Sequence, residues 1–271
     1  MLKELQPKKL KFKVLKTLVN TIGQTSNGLQ LCTKYGFTSG KMLDYIYQNE
    51  PSGKFFIGKF IDALFIRHAG WEVVRTRKDN LVSLLKTAVV SKLTEKSDVY
   101  IVDVASGPAK YILESMDNFR NERVSAICRD IDERWLIEGR AKAEIMGLKN
   151  IDFMQGNALE PDSFKELVKT PNIIVSSGFY DWIVDDELVK KSMRIIYDNL
   201  PSGGYFVFTN QSGHVDLEMV SKVFSDFNHN PLEMKVRAAG LINGWAKELG
   251  FKILETKSDK SGFYSVTLAQ K

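Results

Sequence analysis

The sequence predicts a doubly wound α/β protein in which helices cover both faces of a seven-stranded sheet. From residue 99 onward, strand-length apolar runs alternate with helix-length segments, which is typical of parallel strands joined by helical crossovers. The last two strand-like runs are separated by the turn sequence Ser-Asp-Lys-Ser-Gly, so they read as a hairpin. One strand of the sheet is therefore expected to run antiparallel to the others.

The spacing of apolar residues sets the predicted element boundaries. Strands are predicted over residues 99–104, 124–130, 151–156, 172–177 and 205–210, with the hairpin strands over 251–256 and 263–269. Helices are predicted over residues 81–94, 133–146, 185–200 and 233–249. Residues 81–271 are expected to form one domain.

Residues 1–80 are predicted to form a mostly helical N-terminal cap. Glycine and Pro-Ser-Gly breaks interrupt this region at residues 36, 40, 51–53 and 70. Within it, residues 8–14 alternate as a strand does, and residues 14–22 then take helical spacing. This apolar segment has three interpretations: core packing, a surface anchor or a dimer contact.

Composition places the chain among globular proteins. Its 271 residues are 44% hydrophobic, which is enough to fill a sizeable core. No apolar run approaches the roughly 20 residues that span a bilayer, and the lysine-rich start lacks a secretory apolar core, so a cytoplasmic location is expected. Cys32 and Cys128 lie far apart and outside any Cys-x-x-Cys pattern, which predicts neither a disulfide framework nor a metal site.

Charge is distributed unevenly along the chain. Residues 1–95 contain 16 Lys/Arg and 7 Asp/Glu, a balance of +9 within a formal net charge of +5. A basic region of this kind binds nucleic acid or anionic lipid, or it is the solvated side of helices.

The turn after the first strand is the most informative motif. Asp103, Ala105, Gly107 and Ala109 follow the pattern acid-x-Ala-x-Gly-x-Ala, which differs from the G-x-G-x-x-G fingerprint of dinucleotide-binding folds. A carboxylate at this place repels a pyrophosphate and attracts a ligand that carries an ammonium group near its ribose. S-adenosyl-L-methionine is such a ligand, and an NAD-dependent dehydrogenase is the weakest alternative.

Together these features resemble the class I S-adenosylmethionine-dependent methyltransferases, a Rossmann-like superfamily, over about residues 75–271. The resemblance implies that small residues of the turn let the cofactor approach the backbone, that Asp103 faces the methionine ammonium, and that Asp130 holds the ribose hydroxyls. Asp132 is the alternative acid, although its place before Glu133 favours a helix cap. The implied cofactor-binding residues are Arg75, Asp103, Ala105, Ser106, Gly107, Tyr111, Asp130, Asn157, Ala158, Ser177 and Gly178.

Three of these assignments have specific reasons. Asn157 stands where the superfamily usually has an acid that accepts the adenine amino group, and its amide oxygen can still accept a hydrogen bond. Ser177 and Gly178 follow the fourth strand, beside the expected position of the reactive methyl group. Arg75 precedes the first strand by about one helix, from which it can bind the cofactor carboxylate, or Arg75 and Arg77 both face solvent.

A second resemblance covers nearly the whole chain. The sequences GFTSGKMLDYIY, GKFID, GW and RTRK in residues 36–78, together with SGFY and the segment around Met234–Arg237, are similar to a bacterial family of putative methyltransferases that is sometimes fused to an α/β-hydrolase domain. This resemblance implies the reaction class and leaves the acceptor open.

Catalytic candidates come from the segments expected near the cofactor. His214, after the fifth strand, is a candidate general base, and Tyr180, after the fourth, is the second candidate. Other residues expected near the acceptor are Trp71, Trp182, Asn210 and Arg237. Methyl transfer from a sulfonium is an in-line displacement with an activated donor, so positioning alone can suffice.

The sequence therefore predicts methyl transfer to a small-molecule or lipid acceptor, and the basic N-terminal region favours an anionic one. An RNA methyltransferase that uses the basic region is one alternative, but the chain contains no recognisable RNA-binding module. A non-catalytic cofactor-binding scaffold is the other.

Overall fold

The computed structural model describes residues 5–120, 123–226 and 228–271, with side chains described from Leu10 onward. Its strands are β1 (Val99–Val104), β2 (Val124–Asp130), β3 (Ile151–Gln155), β4 (Ile173–Ser176), β5 (Tyr205–Gln211), β6 (Lys252–Ser258) and β7 (Tyr264–Gln270). They form one sheet in the order β3-β2-β1-β4-β5-β7-β6. The first five strands are parallel, and β7 is antiparallel to both of its neighbours. The predicted fold class, including the hairpin, is confirmed.

Helices connect and flank these strands. They are α1 (Leu5–Asn20), α2 (Asn27–Tyr35), α3 (Gly40–Gln48), α4 (Phe55–Ile66), α5 (Ala69–Thr94), α6 (Lys110–Asn118), α7 (Glu133–Ile145), α8 (Pro161–Lys165), α9 (Phe179–Trp182), α10 (Asp186–Asn199), α11 (Leu217–Val223) and α12 (Ala239–Leu249), with a 3₁₀ helix at Ile22–Thr25.

One predicted strand is wrong, and one predicted helix begins later than expected. Residues 8–14 lie within α1 and are helical. Phe12 packs inward, whereas Leu10 and Val14 lie on the exposed side of the helix. Apolar residues at every second position therefore lie on both sides of this helix, which gave the sequence the alternation expected of a strand. The helix predicted from residue 233 begins at Ala239, because the backbone N–H of Arg237 bonds the carbonyl of Gln211 and keeps the preceding segment extended.

The chain divides into two compact units: Met1–Arg75 with His214–Glu233, and Thr76–Gly213 with Met234–Lys271. The second unit contains the whole sheet, and its core has a cluster on each face. One cluster includes Leu84 and Leu85 of α5, and the other includes Ile196 of α10 and Trp245 of α12. Helices on both faces leave the edge at the carboxyl ends of the parallel strands for loops, which is where such sheets bind ligands.

The first unit is helical and is organised around a buried carboxylate. Asp62 of α4 is fully buried and accepts hydrogen bonds from Ser26 Oγ at 2.6 Å, Gly28 N at 2.7 Å and Ser52 N at 2.9 Å. The hydroxyl of Tyr45 is its fourth donor. These bonds connect α2, α3 and α4, and they offset the desolvation of the carboxylate. The predicted boundary at residue 80 stays a prediction.

Candidate functional site

The loop after β1 is held in an unusual backbone conformation. Ala105, Gly107 and Ala109 have φ values of 53°, 54° and 56°, all in the left-handed region. This region costs an L-residue with a Cβ roughly 1–2 kcal/mol, and such strain collects at functional sites. A Cβ built on Gly107 would have no described heavy atom within 4 Å apart from its chain neighbours. The backbone of the loop is therefore open to a ligand.

Asp130 ends β2 and is bonded to this loop. Its Oδ2 accepts the Gly107 N–H at 2.8 Å, and its Oδ1 accepts the Asp132 N–H at 2.9 Å. Burial raises the pKa of the Asp130 carboxyl, and the backbone donors partly offset that shift. A carboxylate has about four lone-pair positions, so the backbone donors leave part of its accepting capacity for the hydroxyls of a vicinal diol.

The neighbouring acid, Asp132, has a different environment. Its Oδ1 accepts the Arg134 N–H at 3.0 Å, which is the bond of a helix N-cap, and its carboxylate also pairs with the Arg134 guanidinium. The pKa of Asp132 is lowered, chiefly by the hydrogen bond from Arg134. These contacts agree with the capping interpretation of Asp132 and leave Asp130 as the acid beside the open loop.

Asp103 lies beneath the loop. It is fully buried, and the hydroxyl of Tyr111 donates to its two carboxylate oxygens at 2.8 and 2.7 Å. Burial raises the pKa of Asp103 well above its ordinary value, and the Tyr111 hydroxyl opposes the shift. The pair joins the end of β1 to α6, so Tyr111 fixes the position of the Asp103 carboxylate.

The loop after β3 carries the predicted adenine contacts. The Asn157 side-chain oxygen accepts the Leu159 N–H at 2.9 Å, and the Asn157 N–H donates to Ser163 Oγ at 3.0 Å. These bonds shape the turn, while Ala158 is buried in the core. One acceptor position of the amide oxygen is therefore used locally.

The residues after β4 divide into a turn and a core side chain. Gly178 has a φ of 72°, and its N–H donates to Thr209 Oγ1 at 2.7 Å, while Ser177 is partly exposed beside it. Tyr180 is only 1% exposed, and its hydroxyl lies 3.4 Å from Ser192 Oγ. Burial raises its pKa far above the ordinary value. This environment favours a packing role for Tyr180, and its predicted catalytic role stays a prediction.

Two buried charged side chains, Arg77 and Asp181, form a pair at the same sheet edge, and this pair was not predicted from the sequence. Asp181 Oδ2 lies 3.7 Å from a guanidinium nitrogen of Arg77, and its Oδ1 accepts the Gln211 N–H at 3.1 Å. The Arg77 guanidinium also stacks 4.8 Å from the ring centre of Tyr264. Burial raises the pKa of Asp181 to about 6, which Arg77 opposes. The sequence signal that could have indicated a buried acid was the position of Asp181 within the aromatic run Phe-Tyr-Asp-Trp.

Arg237 holds the segment after β4 in place. Its guanidinium donates to Asp186 and to the Tyr180 carbonyl, both at 2.8 Å, and its side chain is almost fully buried. Asn210 Nδ2 donates to the Arg237 carbonyl at 2.6 Å. Both residues were expected near the acceptor, and these contacts make them supports of the loop.

Arg75 and His214 belong to the first unit, whereas the other predicted cofactor residues belong to the second. Arg75 donates to the carbonyl of Ile66 at 3.0 Å, at the end of α4. His214 Nδ1 accepts the Asp216 N–H at 3.0 Å, and its pKa is lowered, chiefly by burial. The roles predicted for both residues stay predictions.

Several solved structures share this fold. A possible exported protein from Bordetella parapertussis superposes with a TM-score of 0.68 at 16% identity, over 90% of this chain and 82% of that one. Magnesium protoporphyrin IX methyltransferase from Synechocystis, with bound S-adenosylhomocysteine, gives a TM-score of 0.58 at 12% identity, over 88% and 97%. The N-methyltransferase NodS from Bradyrhizobium japonicum, also with S-adenosylhomocysteine, gives 0.51 at 10% identity, over 72% and 86%. The fold is that of the class I methyltransferases.

The family model described as "Putative methyltransferase" matches residues 1–271, and the chain belongs to this family. The predicted membership of a methyltransferase family is confirmed. The protein YnbC of Escherichia coli is 31% identical over 268 residues, which are 98% of this chain and 46% of that relative. The chain thus spans about half the length of the curated relative that it matches.

Among the described residues, no helix combines the length and the apolar character needed to cross a bilayer. The predicted cytoplasmic location stays a prediction.

Proposed function

We propose that the second unit binds S-adenosyl-L-methionine at the carboxyl edge of its sheet and transfers the methyl group to a small-molecule or lipid acceptor. The observation that carries this proposal is the bond between Asp130 and Gly107, which places a diol-binding acid against an open, left-handed backbone loop. Membership of a methyltransferase family supports the reaction class.

Each residue of this edge has a role in the proposal. Asp130 accepts the two ribose hydroxyls through its remaining lone pairs. The open backbone of the loop around Gly107 receives the rest of the ligand, because no side chain stands in the way. Asp103, positioned by Tyr111, is the acid assigned to the methionine ammonium, and the bound cation would have to keep this buried carboxyl ionised against its raised pKa.

The bound sulfonium supplies an already activated methyl group. The chain's contribution is then to align the acceptor and to exclude water, and no general base is required where the acceptor atom is already nucleophilic. The Arg77–Asp181 pair and Arg237 keep the segment after β4 in one conformation, which serves that alignment.

An anionic small molecule or lipid is the acceptor class that charge favours. Residues 1–95 carry 16 basic and 7 acidic side chains, and such an excess attracts anions. Structures of the same fold include enzymes named for magnesium protoporphyrin IX and for sarcosine and dimethylglycine, which are small molecules.

Calorimetric titration of the full chain with S-adenosylmethionine, S-adenosylhomocysteine and NAD tests the proposal. We expect binding of the two adenosyl ligands only, and a loss of about ten- to a hundredfold in affinity for Asp130→Asn, the range for a hydrogen bond to a charged group. Asp132→Asn is the matched control, since asparagine also caps helices, and it should bind as the wild type does. Absence of adenosyl binding, or equal losses in both variants, would contradict the assignment.

A further inference from the structure

Helix α4 presents an apolar face that the described protein does not cover. Phe56, Ile57, Phe60 and Leu64 are 87%, 49%, 56% and 62% exposed, and Phe55 at the start of the helix is 84% exposed. The four helical positions lie on one side of the helix at 100° per residue. We call these four helical residues the phenylalanine face, and the exposed Phe55 stands beside it at the start of the helix. Soluble monomers rarely expose so contiguous an apolar surface.

The opposite side of α4 fixes the orientation of this face. Asp62 and Ile66 are fully buried, and a Cβ on Gly58 would collide with the backbone oxygen of Thr25. Gly58 thus allows the helix to pack closely on the 3₁₀ helix. Phe55 has a φ of 56°, which is strained for an aromatic residue, and its exposed ring gains little packing in return.

Helix α1 of the same unit has a second exposed apolar stripe. Leu10, Val14 and Leu18, which are spaced four residues apart, are 62%, 51% and 49% exposed. Phe12 and Val19 lie on the other side of the helix and pack into the unit. The stripe and the phenylalanine face therefore both lie on helices whose other sides are already occupied.

The charges on these two helices identify the kind of partner. Lys11, Lys13, Lys16 and Lys59, as well as Lys54 just before α4, are exposed. The sequence of α1 contains no acidic residue, and the only acid of α4 is the buried Asp62. If a second copy packed on this surface face to face, lysines of the two copies would repel each other. These helices carry no exposed carboxylates that could form ion pairs with those lysines. An anionic lipid surface instead offers acyl chains to the phenylalanines and phosphates to the lysines.

We propose that the phenylalanine face and its flanking lysines dock the protein on membranes that contain anionic lipid. The aromatic rings enter the boundary between headgroups and acyl chains, while the lysine stems extend along the apolar surface and keep their ammonium groups at the phosphates. The proposal concerns the first unit alone and does not depend on the proposed methyl transfer.

Flotation of the full chain with vesicles tests this docking. We expect the chain to float with vesicles of phosphatidylcholine and phosphatidylglycerol, to float much less with phosphatidylcholine alone, and to dissociate as salt is raised. Phe56→Ser with Phe60→Ser should abolish flotation. Ile145→Ser with Val168→Ser is the matched control, because these residues of the second unit are 86% and 89% exposed, and it should float as the wild type does.

Charge reversal gives an independent arm. Lys54→Glu with Lys59→Glu should abolish flotation, whereas Lys252→Glu, on an exposed position of β6, should not. Each variant should bind S-adenosylhomocysteine with the affinity of the wild type and unfold at the same temperature. These two controls separate membrane docking from cofactor binding and from folding.

Three outcomes overturn the proposal. They are no flotation of the wild type, equal flotation of all the variants, or a concentration-dependent dimer in sedimentation velocity that the Phe56 and Phe60 changes dissociate. The last result would make the face an interface between copies of this chain.

Discussion

The carboxylate of Asp181 lies 3.7 Å from the guanidinium of Arg77, and both side chains are almost fully buried at the carboxyl edge of the sheet. The Arg77 side chain comes from α5, at the start of the second unit, and Asp181 comes from α9, directly after β4. The pair therefore ties the helix that precedes the sheet to the segment that follows its fourth strand. A buried pair of this kind is costly to break, because removal of one partner leaves the other charge in a poorly solvating environment.

Arg77→Met is expected to destabilise the protein by roughly 2–3 kcal/mol at pH 8. The loss is limited to that range because the unpaired Asp181 carboxyl takes up a proton. Arg77→Met with Asp181→Asn should recover part of the loss. Urea denaturation followed by tryptophan fluorescence measures this, with Lys165→Met as the control, since the Lys165–Asp162 pair is exposed and its loss should be undetectable. Equal stability of the Arg77 and Lys165 variants would show that the buried pair contributes nothing.

The pH dependence of stability should carry the signature of Asp181. Burial raises its pKa to about 6 in the folded protein, against an ordinary value of 3.8. Between these values the folded state binds more protons than the unfolded state, so this group lowers the free energy of unfolding as pH rises from about 4 to about 6, and its effect is constant above that. The difference in stability between wild type and Asp181→Asn should thus shift by roughly 2–2.5 kcal/mol, to the relative advantage of the variant, between pH 4 and pH 7.

The measurement is a series of denaturation curves for both proteins across that pH range. The comparison removes the contributions of other raised carboxyls, such as Asp103 and Asp130, because both proteins contain them. A difference that stays constant with pH would contradict the assignment of a raised pKa to Asp181.

Gly107→Ala should show whether the glycine is needed for the backbone conformation alone or also for ligand binding. Gly107 has a φ of 54°, and Gly262, in the turn between β6 and β7, has a φ of 70°. A Cβ at either position would meet no described heavy atom within 4 Å beyond its chain neighbours, so both alanine variants should lose about 1 kcal/mol of stability from conformation alone. Only Gly107→Ala should also weaken S-adenosylhomocysteine binding, measured by calorimetry. Equal affinity in the two variants would move the cofactor away from this loop.

Local sequence patterns predicted the sheet and the loop after β1, because a strand followed by a small-residue turn is encoded within a dozen residues. The acid at the end of β2 was predictable for the same reason. The Arg77–Asp181 pair was not, since it depends on packing between segments that are distant in sequence. Tertiary contacts also decided the start of α12, where Arg237 bonds Gln211, and the helical state of residues 8–14, where Phe12 packs inward.

Asp62 provides a test confined to the first unit. Its carboxylate accepts bonds from Ser26, Gly28, Tyr45 and Ser52, and every one of these donors needs an acceptor. Asp62→Asn replaces one acceptor oxygen by a donor, which leaves at least one of these groups unsatisfied in the interior. We expect a loss of about 3 kcal/mol, the range for breaking a buried charged hydrogen-bond network.

Hydrogen exchange measured by mass spectrometry reports where that loss falls. Peptides that cover α2 and α3 should exchange faster in Asp62→Asn, because the carboxylate bonds Gly28 of α2 and Tyr45 of α3 and so connects both helices to α4. Glu50→Gln is the control, since Glu50 is an exposed acid of the same unit and its change should leave exchange unaltered. Unchanged protection of α2 and α3 in Asp62→Asn would mean that apolar packing, and not the buried carboxylate, holds these helices together.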